Sequence, residues 1–128
     1  MERTQFLKEY PLKKVSRTAL WKLISMPNGL AEWFCDNVEV EQDVYTFTWK
    51  GNQQAAKLLA KYPEESIKFQ WEEDYGTKYF FEMSIIHSEL TGMVELIIND
   101  TVDDDDIDAS TVLWNSMIDR LKRKLGLN

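Results

Sequence analysis

The chain has 128 residues and 15.1 kDa, with 44% hydrophobic and 29% charged residues, a profile that fits one ordinary globular domain over residues 1–128 and excludes a disordered or fibrous chain. Its net charge of -7 and pI near 4.7 exclude a natural phosphate-backbone binder, because neutralising phosphates takes clustered Lys and Arg. No run approaches about 18 apolar residues, and the opening MERTQFLKEYPLKK lacks an uninterrupted apolar core, so neither an integral membrane protein nor a signal peptide is expected and the expected location is the cytoplasm.

In chain order, Thr4 to Leu12 predicts a first strand, with Phe6, Tyr10 and Leu12 on one parity. Ser16 is a suitable N-cap for a helix carrying Ala19, Leu20, Leu23 and Ile24, which Pro27 and Gly29 interrupt. Gly29 to Phe34 has room for one or two further helical turns. The single cysteine, Cys35, follows the pair Trp33-Phe34 and has no partner for an internal disulfide, in keeping with a reducing compartment.

From Asn37 the period becomes two. Val38 and Val40, then Tyr45, Phe47 and Trp49, alternate with polar residues, and Lys50-Gly51-Asn52 turns the chain. Gln54 to Tyr62 reads as a strand with Ala56, Leu58 and Ala60 on one parity, despite good helix formers. After Pro63-Glu64-Glu65 come Ile67, Phe69 and Trp71, and after Asp74-Tyr75-Gly76 come Tyr79, Phe81, Met83 and Ile85. Thr91-Gly92 leads to Val94, Leu96 and Ile98. These runs predict consecutive antiparallel strands forming a sheet with one apolar face.

The last element is an amphipathic helix with Leu113, Trp114, Met117, Leu121 and Leu125 along a stripe, and with Gly126 as its stop. The acidic run Asp103 to Asp106 precedes it. Contiguous carboxylates lack the spacing and glycine of a calcium loop, so the run reads as a solvated helix start in which an Asp caps the free N–H groups. No metal site and no cofactor are expected. Lys122-Arg123-Lys124 complements the helix dipole at the other end and is too short for a membrane or nucleic-acid patch.

This order, together with "PNGLAEWFCDNVEV", "FTWKG", "ESIKFQWEED" and "LWNSMIDRLKRKLG", resembles the START-like, helix-grip superfamily. Within it the chain is similar to small bacterial single-domain proteins of the branch related to activators of the ninety-kilodalton heat-shock chaperone. The resemblance covers essentially the whole chain through diffuse aromatic and glycine positions. It implies an α+β helix-grip fold, a curved antiparallel sheet wrapped around a long carboxy-terminal helix, and an apolar small molecule or lipid held between them.

Candidate lining residues are Leu30, Trp33, Phe47, Trp49, Phe69, Trp71, Phe81, Met83, Trp114 and Met117. Their large side chains serve equally well as plain core, which leaves the cavity small. A second reading is a protein-interaction or chaperone-cofactor module with a filled interior, either a monomer or a homodimer paired through a strand edge or through an outer sheet face carrying Phe80 and Ile86. A cyclase-type enzyme is a third. It would rest on His87, which shares the parity of Phe81, Met83 and Ile85 but has no recognisable partner group; a Cys35–His87 pair is disfavoured, and no catalytic residue is assigned.

Overall fold

The computed structural model describes residues 3–127. Seven strands form one antiparallel sheet: β1 (Arg3–Pro11), β2 (Asn37–Glu41), β3 (Val44–Trp49), β4 (Asn52–Tyr62), β5 (Ser66–Trp71), β6 (Phe81–His87) and β7 (Val94–Asp103). Their spatial order is β1-β7-β6-β5-β4-β3-β2. The meander from β2 to β7 therefore pairs each strand with its sequence neighbour, and β1 closes the row against β7 through Phe6–Asp100 and Tyr10–Leu96. Among the described residues three α-helices complete the fold: α1 (Arg17–Ser25), the single turn α2 (Pro27–Leu30) and the long α3 (Ile107–Lys124). The expected α+β helix-grip architecture is present.

Alternation dictates which face is dry. Phe6, Tyr10, Val38, Tyr45, Phe47, Ala56, Ile67, Phe69, Phe81, Met83, Ile85, Val94, Leu96 and Ile98 are buried on the inner face, where they meet the buried side chains of the helices. Ser16 caps α1 as expected, its hydroxyl accepting from the Ala19 N–H at 3.1 Å. Leu20, Leu23 and Ile24 point inward, while Ala19 is exposed. Gly29 is fixed by crowding, since a Cβ there would stand 2.1 Å from the Lys22 carbonyl oxygen and 2.6 Å from the Leu23 Cα. Only glycine lets α2 press this closely onto α1.

The Lys50-Gly51 turn between β3 and β4 has φ of 48° and 84°, the left-handed pair that matches the twist of a two-residue hairpin. Several further sequence expectations change in the structure. The strand read from Gln54 begins at Asn52, and its register shifts between Leu58 and Ala60. Leu58 opposes the buried Phe69 while Ala60 opposes Lys68, so the extra residue, Leu59, carries Ala60 off the parity it was expected to share. Tyr79 lies before β6, which starts at Phe81, because the segment after Gly76 closes its own turn through Thr77 and Tyr79.

On α3 the inward stripe is Trp114, Met117, Ile118 and Leu121, with Leu125 packed at its end. Leu113, expected on that stripe, is 58% exposed, because one helical step turns it about 100° from Trp114. Ile118 takes the place that four-residue spacing from Trp114 assigns. Finally, Asp103 ends β7, Asp104–Asp106 form a 3₁₀ turn, and Asp106 precedes α3 without making a side-chain cap. The carboxylates start the helix as solvated charges, and the specific cap is missing because the chain enters α3 through the tighter turn. At the other end Gly126, with φ 80°, closes the helix: its N–H donates to Arg123 O at 3.1 Å and the Leu127 N–H donates to Lys122 O at 2.8 Å.

Candidate functional site: an aromatic groove beside the long helix

The short helices deliver Trp33 and Phe34 into the centre of the molecule. Trp33 is buried and its indole Nε1–H donates to the Leu23 carbonyl at 2.7 Å, which ties the end of the α2 segment to α1. Phe34 is a hub, with ring centroids 5.2 Å from Phe47, 5.4 Å from Trp49, 5.7 Å from Trp114 and 6.1 Å from Phe81. Trp49 in turn donates from Nε1 to the Phe34 carbonyl at 2.6 Å. The pair therefore seals one end of the grip and leaves a wall facing the other.

That other end is open. Between the ends of β3, β4 and β5 and the first half of α3 lies a groove of about 420 Å³, walled by Phe34, Trp49, Trp71, Trp114, Met117 and Leu113, with Asn52, Gln54, Asp100 and Ser110 as its polar members. Trp49 and Trp71 face each other at 6.1 Å with planes tilted by 56°. A second hollow, of about 670 Å³ and bounded by Trp33, Cys35, Asp36, Lys50 and Arg120 among others, adjoins it through Trp49, Asn52 and Leu113.

Of the ten residues expected to line a cavity, Trp49, Trp71, Trp114 and Met117 border the groove. Trp33 borders the adjoining hollow. Leu30, Phe47, Phe69, Phe81 and Met83 are buried in the core. The Phe69 and Phe81 rings stack at 5.1 Å and the Tyr45 and Phe69 rings meet edge-on at 4.9 Å, so aromatic packing occupies the space under the middle of the sheet.

Sequence reasoning missed Asp100. It continues the inward parity of Val94, Leu96 and Ile98 along β7, so alternation alone pointed to it. Burial pushes its carboxyl up from 3.8 to about 6; the Thr101 N–H on Oδ1 at 2.7 Å and the Arg3 charge pull the other way, Asp74 adds to the rise, and the Trp114 indole lowers it. Next to the groove, and sharing Ser110 with it, lies a hollow lined by Arg3, Glu73, Asp74, Asp103 and Asp106. Arg3 donates to Asp74 Oδ1 at 2.9 Å and to the Thr101 carbonyl at 2.7 Å, and its guanidinium stacks 4.2 Å from the Tyr79 ring centre.

The other reactive candidates are elsewhere. Cys35 is buried and donates to the Leu30 carbonyl at 3.6 Å. Burial first, and then the Asp36 charge, push its thiol up to about 11, against a weaker opposing pull from the Asn37 backbone, so it is no thiolate at neutral pH. His87 is exposed at the far end of β6, opposite Val94 beside the turn into β7. It shares the inward parity, and at the strand end its side chain stands exposed beside the buried Val94.

With this geometry in view, a family model described as a START-like superfamily domain matches residues 1–127. The chain belongs to the START-like superfamily. Among solved structures, this START-like domain is 34% identical to a Bacteroides fragilis protein solved by NMR in solution, with TM-score 0.69 over 97% of this chain and 92% of that one. It shares the fold of the Aha1 dimer from Colwellia psychrerythraea at 14% identity, with TM-score 0.72 over 98% of this chain and 96% of that one. A Mesorhizobium loti protein is similar at 12% identity, with TM-score 0.75 over 94% and 95% of the two chains. No curated protein matches the START-like domain.

Proposed function

We propose that the chain is a binding protein for an apolar small molecule or lipid, which it holds in the groove between Trp49, Trp71 and the first half of α3. The observation that carries this reading is the contrast between a groove of about 420 Å³ and the packed aromatic core beside it. A concave site with mostly apolar walls and a few polar groups has the size and make-up of small-ligand sites. The groove lies between sheet and long helix, where a helix-grip fold has room. No helix among the described residues is long and apolar enough to cross a membrane.

Native mass spectrometry of gently purified protein, set beside its denatured mass, tests the reading. A co-purifying small molecule that is released on denaturation and lost in Trp71→Ala supports it. A bare mass, combined with no uptake of added decanol, contradicts it. The same spectrum reads out monomer or homodimer.

A second reading, a protein-interaction or chaperone-cofactor module, is favoured by one feature. Val112 and Leu113 stand 70% and 58% exposed on α3, next to the groove mouth. Isolated exposed apolar residues are common on protein surfaces, so this reading ranks below the groove, and loss of ligand uptake in the experiment above moves the weight to it.

A further inference from the structure

The groove has one ionisable wall residue, and it is acidic. The other wall residues carry no charge, which leaves Asp100 alone among them. It sits where three tryptophans and a phenylalanine present rings at different tilts: Phe34 and Trp49 at 70°, Trp49 and Trp71 at 56°, Phe34 and Trp114 at 34°. Aromatic faces carry partial negative charge and attract organic cations, tryptophan most strongly.

On the Ser110 side the surroundings deepen the deficit of positive charge, and on the Trp49 side the adjoining hollow sets Lys50 and Arg120 against Glu32 and Asp36 and so adds no net positive charge. The hollow sharing Ser110 with the groove holds the carboxylates of Glu73, Asp74, Asp103 and Asp106 against a single guanidinium, that of Arg3. Arg3 is already committed to Asp74, Thr101 and the Tyr79 ring, and its Nε also lies 3.9 Å from Asp103 Oδ1. An anionic headgroup entering the groove would meet Asp100 with no cation on the wall to receive it. A neutral ligand would leave the Asp100 carboxylate facing only Arg3, a positive charge it shares with Asp74.

We infer that the ligand of this groove is an organic cation, a quaternary or protonated amine joined to an apolar body, and that Asp100 is the residue that selects it. The inference rests on the reading of the groove as a ligand site and names the class of ligand. The ammonium sits among the tryptophan rings within reach of the carboxylate, and the apolar body lies along Met117 and Leu113. The charged groups facing Asp100 are Arg3 from β1 and Asp74 from the turn after β5, while α3 presents the uncharged Ser110 and Trp114. Ionised Asp100 is the form that attracts the cation, so affinity for a permanently charged ligand rises with pH through about 6.

The test is calorimetric titration with decyltrimethylammonium, decanol and decanoate, each kept below its micelle concentration, against wild type and Asp100→Asn. The inference expects the cation to bind about tenfold or more tightly than the other two, and expects that preference to vanish in Asp100→Asn while decanol binding is kept. In wild type, decyltrimethylammonium binding should strengthen several-fold from pH 5 to pH 7.5, a readout that needs no variant. Equal affinity for all three probes, or preference for decanoate, overturns the inference and leaves the groove reading standing. Failure of every probe to bind overturns both. Phosphatidylcholine vesicles run in parallel separate the sources: uptake that Asp100→Asn abolishes assigns a lipid headgroup, and cation binding without vesicle binding assigns a free amine.

Discussion

At the α1–α2 end of the sheet, Trp33, Phe34, Phe47 and Phe69 are sealed from solvent; at the α3 end, Trp49 and Trp71, aromatic like Phe47 and Phe69 and on the same two strands, stay half-buried beside a groove. The residue types do not make this difference. Covering does: α2 is pressed onto α1 by Gly29 and drives Phe34 into the centre, whereas α3 begins to bury side chains only at Trp114, after exposed Ile107, Val112 and Leu113. A sheet of similar apolar character along its length is thus closed at one end and left open at the other.

The strongest way to break this comparison is at the sealed end. Phe34→Ala removes the hub of the ring cluster and should destabilise by about 3–5 kcal/mol in urea unfolding; a loss of only a few tenths would mean that the seal is not built on Phe34. Gly29→Ala forces α2 away from α1, and a loss of up to about 3 kcal/mol is expected from overpacking against backbone. The two changes should not simply add, because both act on one packed corner.

The open end should respond with the opposite sign. Folding raises the Asp100 carboxyl from 3.8 to about 6, so the folded state holds a proton that the unfolded chain releases across that range. Stability supplied by this group is therefore full below pH about 4, falls as pH rises through about 6, and is level above it. Asp100→Asn should remove that slope and stabilise the protein at pH 8 by about 2 kcal/mol, reduced if water in the groove screens the charge. Urea unfolding at pH 4, 6 and 8 checks the sign, and stability that rises with pH and is indifferent to Asp100→Asn contradicts it. The smallest effect is at the rim, where Leu113→Ser should change stability by less than about 0.5 kcal/mol while weakening uptake of an apolar probe.

Much of this was legible in the sequence. Alternation in Tyr45-Phe47, Ile67-Phe69, Phe81-Met83-Ile85 and Val94-Leu96-Ile98 reports burial directly, because the inner face is dry along most of its length. The break at Pro27 and Gly29 reports the paired short helices. Less legible was anything set by an offset between elements. Ala60 left its expected face because one extra residue at Leu59 shifts the register, and no local pattern announces a bulge. On α3 the inward stripe takes Ile118, four residues from Trp114, and leaves Leu113 outside, one helical step of about 100° away.

The site was legible in part for the same reason. Trp49 and Trp71 end their strands and Trp114 and Met117 lie midway along α3, and their apolar type placed them inside without saying which of them border empty space. Phe69 and Met83 have the same signature and are core. Asp100 was readable from parity, as a lone carboxylate on an otherwise apolar face, a pattern that is costly unless something compensates it.

The five tryptophan indole N–H resonances offer the most direct test of the central claim, that one end of the molecule is closed and the other receives a ligand. In an NMR titration with decanol, the Trp71 and Trp114 signals should move progressively, and Trp49 with them, while Trp33, locked to the Leu23 carbonyl at 2.7 Å, stays in place. If Trp33 moves as far as Trp71, or if no indole moves at all, the division into a sealed core and an open groove is wrong.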